Sequence, residues 1–136
     1  MSYTRRELSR LLPALALAEA AAENRVLPSK AWRFEDLVLK KNSRAVLNGE
    51  THGGFSIELH ETELPPGEAP HPPHHHVHEE MIMIREGTLE VTIAGRVAKI
   101  GPGGVAFVAS NEEHGWRNVG TTPAHYFVLA LGREKA

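Results

Sequence analysis

The sequence contains no cysteine among its 136 residues. Disulfide bonds, thiolate metal ligands and cysteine nucleophiles are therefore excluded. Aromatic residues are also scarce, at 6% of the chain, whereas apolar residues make up 41% and charged residues 24%. These apolar and charged fractions are typical of a globular domain and not of a disordered or membrane-embedded chain.

The chain also lacks a strong net charge and a long apolar run. Its net charge is −2, which gives no electrostatic footprint for nucleic acid or for an anionic membrane. No apolar stretch approaches the ~20 residues that span a bilayer. We therefore expect no nucleic-acid partner and no membrane span. The length suits one domain with a core and is too short for two ordinary domains.

Residues 1–22 differ in composition from the rest of the chain. Arg5 and Arg6 precede the apolar stretch 11–18 and a run of alanines, which is the layout of a secretory signal peptide. The segment around the two arginines resembles a twin-arginine signal and predicts a periplasmic or secreted protein. The alternative is a native N-terminal helix in a cytoplasmic protein, with leucines at helical spacing. Pro13 disfavours that helix by roughly 3 kcal/mol.

Short alternating segments occupy the remainder of the sequence. We predict N-terminal strands and a connection over residues 23–52, with a turn at Asn48-Gly49, and a barrel over residues 53–136. Apolar and polar residues alternate in segments such as 89–93, and glycine or proline clusters separate the segments. Because no helical pattern lies between these strands, the fold class is all-β, as a sandwich or a barrel.

Histidines are concentrated in one stretch, GEAPHPPHHHVHEEMIMIREG, which contains five of the nine. Imidazole and carboxylate are ligands that suit first-row divalent metals. If the segment is extended, His74, His76 and Glu80 share a face, so one strand would present all three to one ion. His114, in SNEEHGWRN, is the candidate fourth ligand. His78 has the same parity and would be the alternative to His74.

The same stretch resembles the first motif of the cupin superfamily, in which His-x-His, a glutamate and a glycine follow at fixed spacing. His74, His76, Glu80 and Gly87 fit that spacing. The second cupin motif is matched by three residues and departs at two, where alanine and asparagine replace its proline and glycine. The matching residues are Gly103, His114 and Asn118, and the replacements are Ala109 and Asn111. The resemblance covers residues 53–131.

The resemblance implies a double-stranded β-helix, or jelly roll, with one divalent transition metal held by His74, His76, Glu80 and His114. The metal would be manganese, iron, nickel or zinc. The implied function is a metal-dependent dioxygenase-type or lyase/isomerase reaction on an unidentified small molecule, and the implied assembly is a homodimer. The alternative is a cupin without catalytic activity that binds or senses a small molecule through its metal.

Four further residues are candidates for the substrate pocket. Trp116 shares strand parity with His114, so both side chains would point to the same side of the sheet. Ile82 follows Glu80 at the same parity. Glu58 and His60 share a face of an earlier strand and would form an acid–base pair inside the barrel.

Overall fold

The computed structural model describes residues 26–132, so the predicted signal peptide or helix over residues 1–22 lies outside the described residues. A short 3-10 helix, Phe34–Asp36, precedes the strands. The strands are β1 (Leu39–Lys40), β2 (Ser43–Glu50), β3 (Ser56–Leu64), β4 (Glu79–Glu86), β5 (Leu89–Ile93), β6 (Arg96–Ile100), β7 (Val105–Val108), β8 (His114–Asn118) and β9 (Ala124–Leu131). The predicted all-β fold class is confirmed.

The strands form two antiparallel sheets. Six strands pair in the order β1-β2-β3-β9-β4-β7, and three pair in the order β6-β5-β8. Strands β4 and β9 are adjacent inside the larger sheet, each with a neighbour on both sides, and their buried residues alternate with half-buried or exposed ones. One apolar cluster contains Ile82 and Tyr126 from the larger sheet and Leu89 and Trp116 from the smaller sheet, so the core lies between the two sheets.

The predicted turn at Asn48-Gly49 is wrong. Both residues lie within β2, where they pair with Glu58 and Ile57 of β3. The chain reverses a few residues later, where the amide of Gly54 donates to the carbonyl of Thr51. Gly54 has a φ of 88°, in the left-handed region that a tight turn needs. The pair of glycines at 53–54 therefore forms the turn in preference to the Asn-Gly pair before it.

Within residues 26–132, no helix is both long enough and apolar enough to cross a membrane.

Candidate metal centre and adjoining cavity

Two of the predicted ligands come from opposite sheets. Glu80 is the second residue of β4, and it pairs with Val108 on one side and Ala130 on the other. Its side chain points into the core and is only 8% exposed. His114 is the first residue of β8, where it pairs with Ile93, and its side chain is fully buried. The space between the sheets therefore receives a carboxylate from one side and an imidazole from the other.

The other two predicted ligands are not on a strand, so the prediction that one strand presents three ligands is wrong. Only Glu80 belongs to β4, which begins at Glu79. The approach to β4 contains Pro72 and Pro73, and proline cannot donate to a strand ladder. His74 instead forms a single antiparallel bridge with His114, since each backbone amide donates to the other residue's carbonyl at 2.9–3.0 Å. This bridge brings the two sequence motifs together.

His76 is positioned by a second backbone contact between the motifs. Its carbonyl accepts a hydrogen bond from the amide of Asn111 at 2.8 Å. Asn111 adopts a positive φ of 61°, which asparagine tolerates better than most residues. Asn111 thus serves in the turn where the cupin motif has glycine.

The four predicted ligands converge. One ligand atom from each of His74, His76, Glu80 and His114 lies within 4.8 Å of the other three, and the group can hold a metal ion. The Nε2 atom of His114 is 2.8 Å from Oε1 of Glu80, and Nε2 of His76 is 3.6 Å from the same oxygen. Ligands about 2.1 Å from one ion are separated by about 3 Å when adjacent, so these distances suit a shared cation.

Backbone carbonyls select the tautomers of two of the imidazoles. Nδ1 of His76 is 2.7 Å from the carbonyl of His78, and Nδ1 of His114 is 2.9 Å from the carbonyl of Glu112. A carbonyl can only accept, so each neutral ring carries its proton on Nδ1 and keeps the Nε2 lone pair toward the centre. Such contacts orient metal-binding histidines and fix their tautomer.

Three buried atoms at the centre have no hydrogen-bond partner within the described residues. They are Nε2 of His74, Nε2 of His114 and Oε1 of Glu80. When the neutral ring of His114 carries its proton on Nδ1, its Nε2 and the carboxylate oxygen of Glu80 face each other at 2.8 Å as two acceptors. Two facing acceptors repel unless a cation lies between them, and buried polar atoms are rarely left unpartnered. The donor set therefore fits a divalent transition metal.

The pKa of His74 is lowered from its ordinary value, first by burial and then by the neighbouring histidines, beginning with His71. The lowered pKa favours the neutral imidazole, which is the form that binds a metal. The ring of His71 stacks on that of His74, with centroids 3.8 Å apart. His78 stacks in the same way on His76, at 3.7 Å, and lies outside the four-residue group. The structure thus groups His74, and not the alternative His78, with the other ligands.

A cavity of about 290 Å³ is lined by three of the four predicted ligands, His74, His76 and Glu80, whereas His114 does not line it. Three predicted pocket residues, Glu58, His60 and Trp116, line it, whereas Ile82 does not. Ile82 is 1% exposed and packs in the apolar core cluster. Its side chain points inward as its parity predicts, but Trp116, Tyr126 and Val128 of the same cluster are the residues that reach the cavity. The remaining lining residues are Thr62, Pro70, His71, His74, His76, His78, Glu80, Tyr126, Val128 and Ala130.

Tyr126 is a cavity residue that the sequence interpretation missed. Its hydroxyl accepts a hydrogen bond from Nε1 of Trp116 at 2.9 Å. Burial, which outweighs the hydrogen bonds from Trp116 and Thr62, raises the pKa of Tyr126 to about 12. The strict alternation of β9 could have identified it, because Tyr126, Val128 and Ala130 share one face.

Asn118 of the second motif has a structural role. Its side-chain amide donates to the carbonyls of Leu64 and Thr122, and its oxygen accepts from the amide of Gly120. It therefore joins the end of β8 to the end of β3. These hydrogen bonds fix the end of β8, the strand that begins with His114.

Comparisons with known proteins agree with this architecture. A family model described as the cupin domain matches residues 60–130. An RmlC-like cupin from Shewanella frigidimarina superimposes with a TM-score of 0.60 at 18% identity, over 79% of this chain and 95% of that one. An RmlC-like cupin family protein from Methanocaldococcus jannaschii, with a double-stranded β-helix fold, gives 0.60 at 19%, over 78% and 93%.

A third similar structure is the polyketide cyclase RemF from Streptomyces resistomycificus. Its TM-score is 0.58 at 20% identity, over 80% of this chain and 83% of that one. None of the curated protein sequences matches the chain significantly. The structural likenesses show a common double-stranded β-helix fold, and the family model covers more than half of the 136 residues. The chain therefore belongs to the cupin family.

Proposed function

We infer that this cupin is a metal-dependent enzyme that acts on a small molecule bound in the cavity. The ion would be held by His74, His76, Glu80 and His114. The observation that carries the proposal is the set of three buried, unpartnered ligand atoms, of His74, Glu80 and His114, beside a cavity of about 290 Å³ that His74 and Glu80 line. A structural metal would have no need of the adjoining cavity, whereas a catalytic metal must be reached by its substrate.

Three imidazoles and one carboxylate leave positions open in a five- or six-coordinate ion. When bound, the ion would supply those positions to substrate or dioxygen and would act as a Lewis acid. Two reaction classes follow, a dioxygenase-type oxidation and a lyase or isomerase reaction. The nitrogen and oxygen ligands suit manganese, iron, nickel or zinc. The structural similarity to a polyketide cyclase supports an enzymatic function.

The metal content of matched variants tests the proposed ligands. Wild-type protein is expected to hold one ion per chain after dialysis against each candidate metal, and His76→Ala to hold none. The matched control is His75→Ala, because His75 is the neighbouring residue, is exposed and does not line the cavity. Stoichiometric metal in His76→Ala would contradict the ligand assignment.

Oxygen uptake separates the two reaction classes. The iron-loaded protein would consume oxygen with a phenolic, diketone or thiol substrate if it were a dioxygenase. A metal-loaded protein that binds small molecules without turning any over would instead be the binding or sensor protein that the sequence leaves as the alternative.

Export and assembly are separate proposals. If residues 1–22 are a signal peptide, the mature protein is periplasmic or secreted, and N-terminal sequencing of the native protein would show their loss. A homodimer is expected from the family resemblance, and light scattering of the purified protein measures it.

A further inference from the structure

We propose that His60 is the general base of this site, that Glu58 positions it, and that the substrate is a small, neutral α-hydroxycarbonyl compound. The proposal rests on the metal site described above and selects proton transfer over oxidation. It uses Glu58 and His60, two polar residues of β3 that line the cavity. Strand β9 lies between β3 and β4, the strand that carries Glu80.

Glu58 and His60 form a close pair. Nδ1 of His60 lies 2.8 Å and 2.9 Å from the two carboxylate oxygens of Glu58, and both residues line the cavity. Their side chains are 17% and 28% exposed, so the pair is largely shielded from bulk water. The neutral ring donates its Nδ1 proton to the carboxylate, which leaves the Nε2 lone pair able to accept another proton. This is the arrangement of a base oriented by an acid.

The strand register places the pair on the same sheet as the predicted ligand Glu80, two strands away from it. Glu58 of β3 is opposite Ala130 of β9, and Ala130 is opposite Glu80 of β4. Two strand spacings separate the Cα atoms of Glu58 and Glu80 by roughly 10 Å. The residue between them is an alanine, which lines the cavity and fills little of that gap. His60 lies two residues along the same face, so a substrate over Ala130 would contact both groups.

The charges of the cavity favour a neutral substrate. Among the lining residues that the structure describes, none is lysine or arginine, and two are glutamates. The two positive charges of a divalent ion would be balanced by these two carboxylates, so the lining would keep no net positive charge to attract an anionic substrate. The apolar part of the lining includes Trp116, Val128 and Pro70, which suits the carbon skeleton of an uncharged compound. An ion with open coordination positions would accept two neighbouring oxygens, such as the hydroxyl and carbonyl oxygens of an α-hydroxycarbonyl compound.

The proposed step is a proton transfer that needs no oxidant or reductant. Nε2 of His60 takes the proton from the carbon that carries the hydroxyl group, and the C–H electron pair becomes the C=C bond of an enediol anion. The former carbonyl oxygen takes up the negative charge. The imidazolium of His60, stabilised by the Glu58 carboxylate, then returns a proton to either carbon. Return to the neighbouring carbon, together with transfer of the hydroxyl proton to the former carbonyl oxygen, isomerises the substrate. Return to the same carbon leaves the substrate unchanged except that its carbon-bound proton has exchanged with solvent.

Hydroxyacetone in D₂O is the probe. Zinc-loaded protein without oxygen is expected to accelerate loss of the carbinol CH₂ signal in proton NMR, and zinc-free protein is not. His60→Gln should lower the exchange rate by about 10²–10⁴-fold, the usual contribution of a general base. Glu58→Gln should lower it by a smaller factor, and both variants should keep one zinc per chain. His52→Gln is the control, because His52 is exposed and outside the cavity lining.

A second measurement does not depend on activity. Long-range ¹⁵N–¹H spectra of the zinc-loaded protein should show His60 as the Nδ1-protonated tautomer in the wild type. In Glu58→Gln the amide can also donate, so that preference should be lost. An Nε2-protonated His60 in the wild type would overturn the assignment of the base.

The outcomes separate this inference from the proposed function. Zinc at one per chain without any exchange, or with exchange unchanged in His60→Gln, would overturn the role of His60 and leave the metal site standing. Failure of the wild type to bind any of the candidate metals would overturn the proposed function, and the inference with it.

Discussion

Replacing Glu80 by Gln should stabilise the metal-free protein and abolish its metal binding. In the metal-free site, the Glu80 carboxylate lies 2.8 Å from the Nε2 lone pair of His114 and has no hydrogen-bond partner within the described residues on that oxygen. A glutamine at this position can turn its amide N–H toward His114 and convert a repulsive contact into a hydrogen bond. The variant would lose one of the four metal ligands and would gain a hydrogen bond from the new amide to His114.

The expected magnitude follows from the burial of the two groups. Both side chains are under 10% exposed, at 8% for Glu80 and fully buried for His114. An unsatisfied buried polar group costs about 1–3 kcal/mol, so the metal-free Glu80→Gln protein should gain about 1–2 kcal/mol in free energy of unfolding. With metal at 100 times its dissociation constant, the wild type gains about 2.7 kcal/mol and the variant gains nothing. The order of stability should therefore reverse when metal is added.

Glu61 provides the matched control, because it is also a buried glutamate of the larger sheet. Its carboxylate is 0% exposed and is paired with Arg44 at 2.8 Å and with Arg85 at 3.2 Å. Glu61→Gln removes a partner from two guanidinium groups and should destabilise the protein. Breaking a fully buried pair costs about 3–5 kcal/mol, and partial exposure of Arg44 and Arg85 reduces the expected loss to about 1–3 kcal/mol.

Urea unfolding of the wild type and both variants, with and without zinc, is the assay. Metal-free Glu80→Gln should unfold at higher urea than the wild type, and Glu61→Gln at lower urea in either condition. A metal-free Glu80→Gln that is destabilised as much as Glu61→Gln would refute the reasoning, since it would show that Glu80 is already satisfied without a metal.

Two further predictions concern the barrel around the site. Burial raises the pKa of Tyr126 from 10.0 to about 12, so its contribution to stability is complete below pH 10 and is lost between pH 10 and 12. That loss should be about 3 kcal/mol by urea unfolding at each pH, and a Tyr126→Phe protein that loses as much would contradict it. Gly87→Ala should cost at least about 2 kcal/mol more than Gly95→Ala in the same assay. Both glycines have positive φ, but a Cβ at Gly87 would lie 2.7 Å from Cα of Ala124, whereas one at Gly95 meets nothing within 4 Å. Equal losses in the two alanine variants would show that the packing at Gly87 does not matter.

The sequence contained enough information for the strands and for the identity of the four converging residues. Period-two alternation identifies the central strands because one face of each is buried, as the pattern of β9 shows. Spacing also identified His74, His76 and Glu80 as a group, and the matching context around His114 added the fourth member.

The sequence could not show how these residues are presented. His74 and His76 reach the centre from irregular backbone that is held by bridges to His114 and Asn111, and such long-range hydrogen bonds leave no periodic signal. Asn48-Gly49 has the composition of a turn, yet it continues β2 because the Gly-Gly pair after it reverses the chain. Glu58 and Glu80 lie on either side of Ala130 because β9 is inserted between β3 and β4. This strand order cannot be read from the alternation of apolar and polar residues.

Anomalous diffraction from crystals of the metal-loaded protein tests the central claim most directly. We expect one strong peak per chain, about 2.0–2.2 Å from Nε2 of His74, His76 and His114 and from a carboxylate oxygen of Glu80. A peak elsewhere, for example among Glu61, Glu63 and His125, or no peak between the two sheets, would contradict the proposed metal centre.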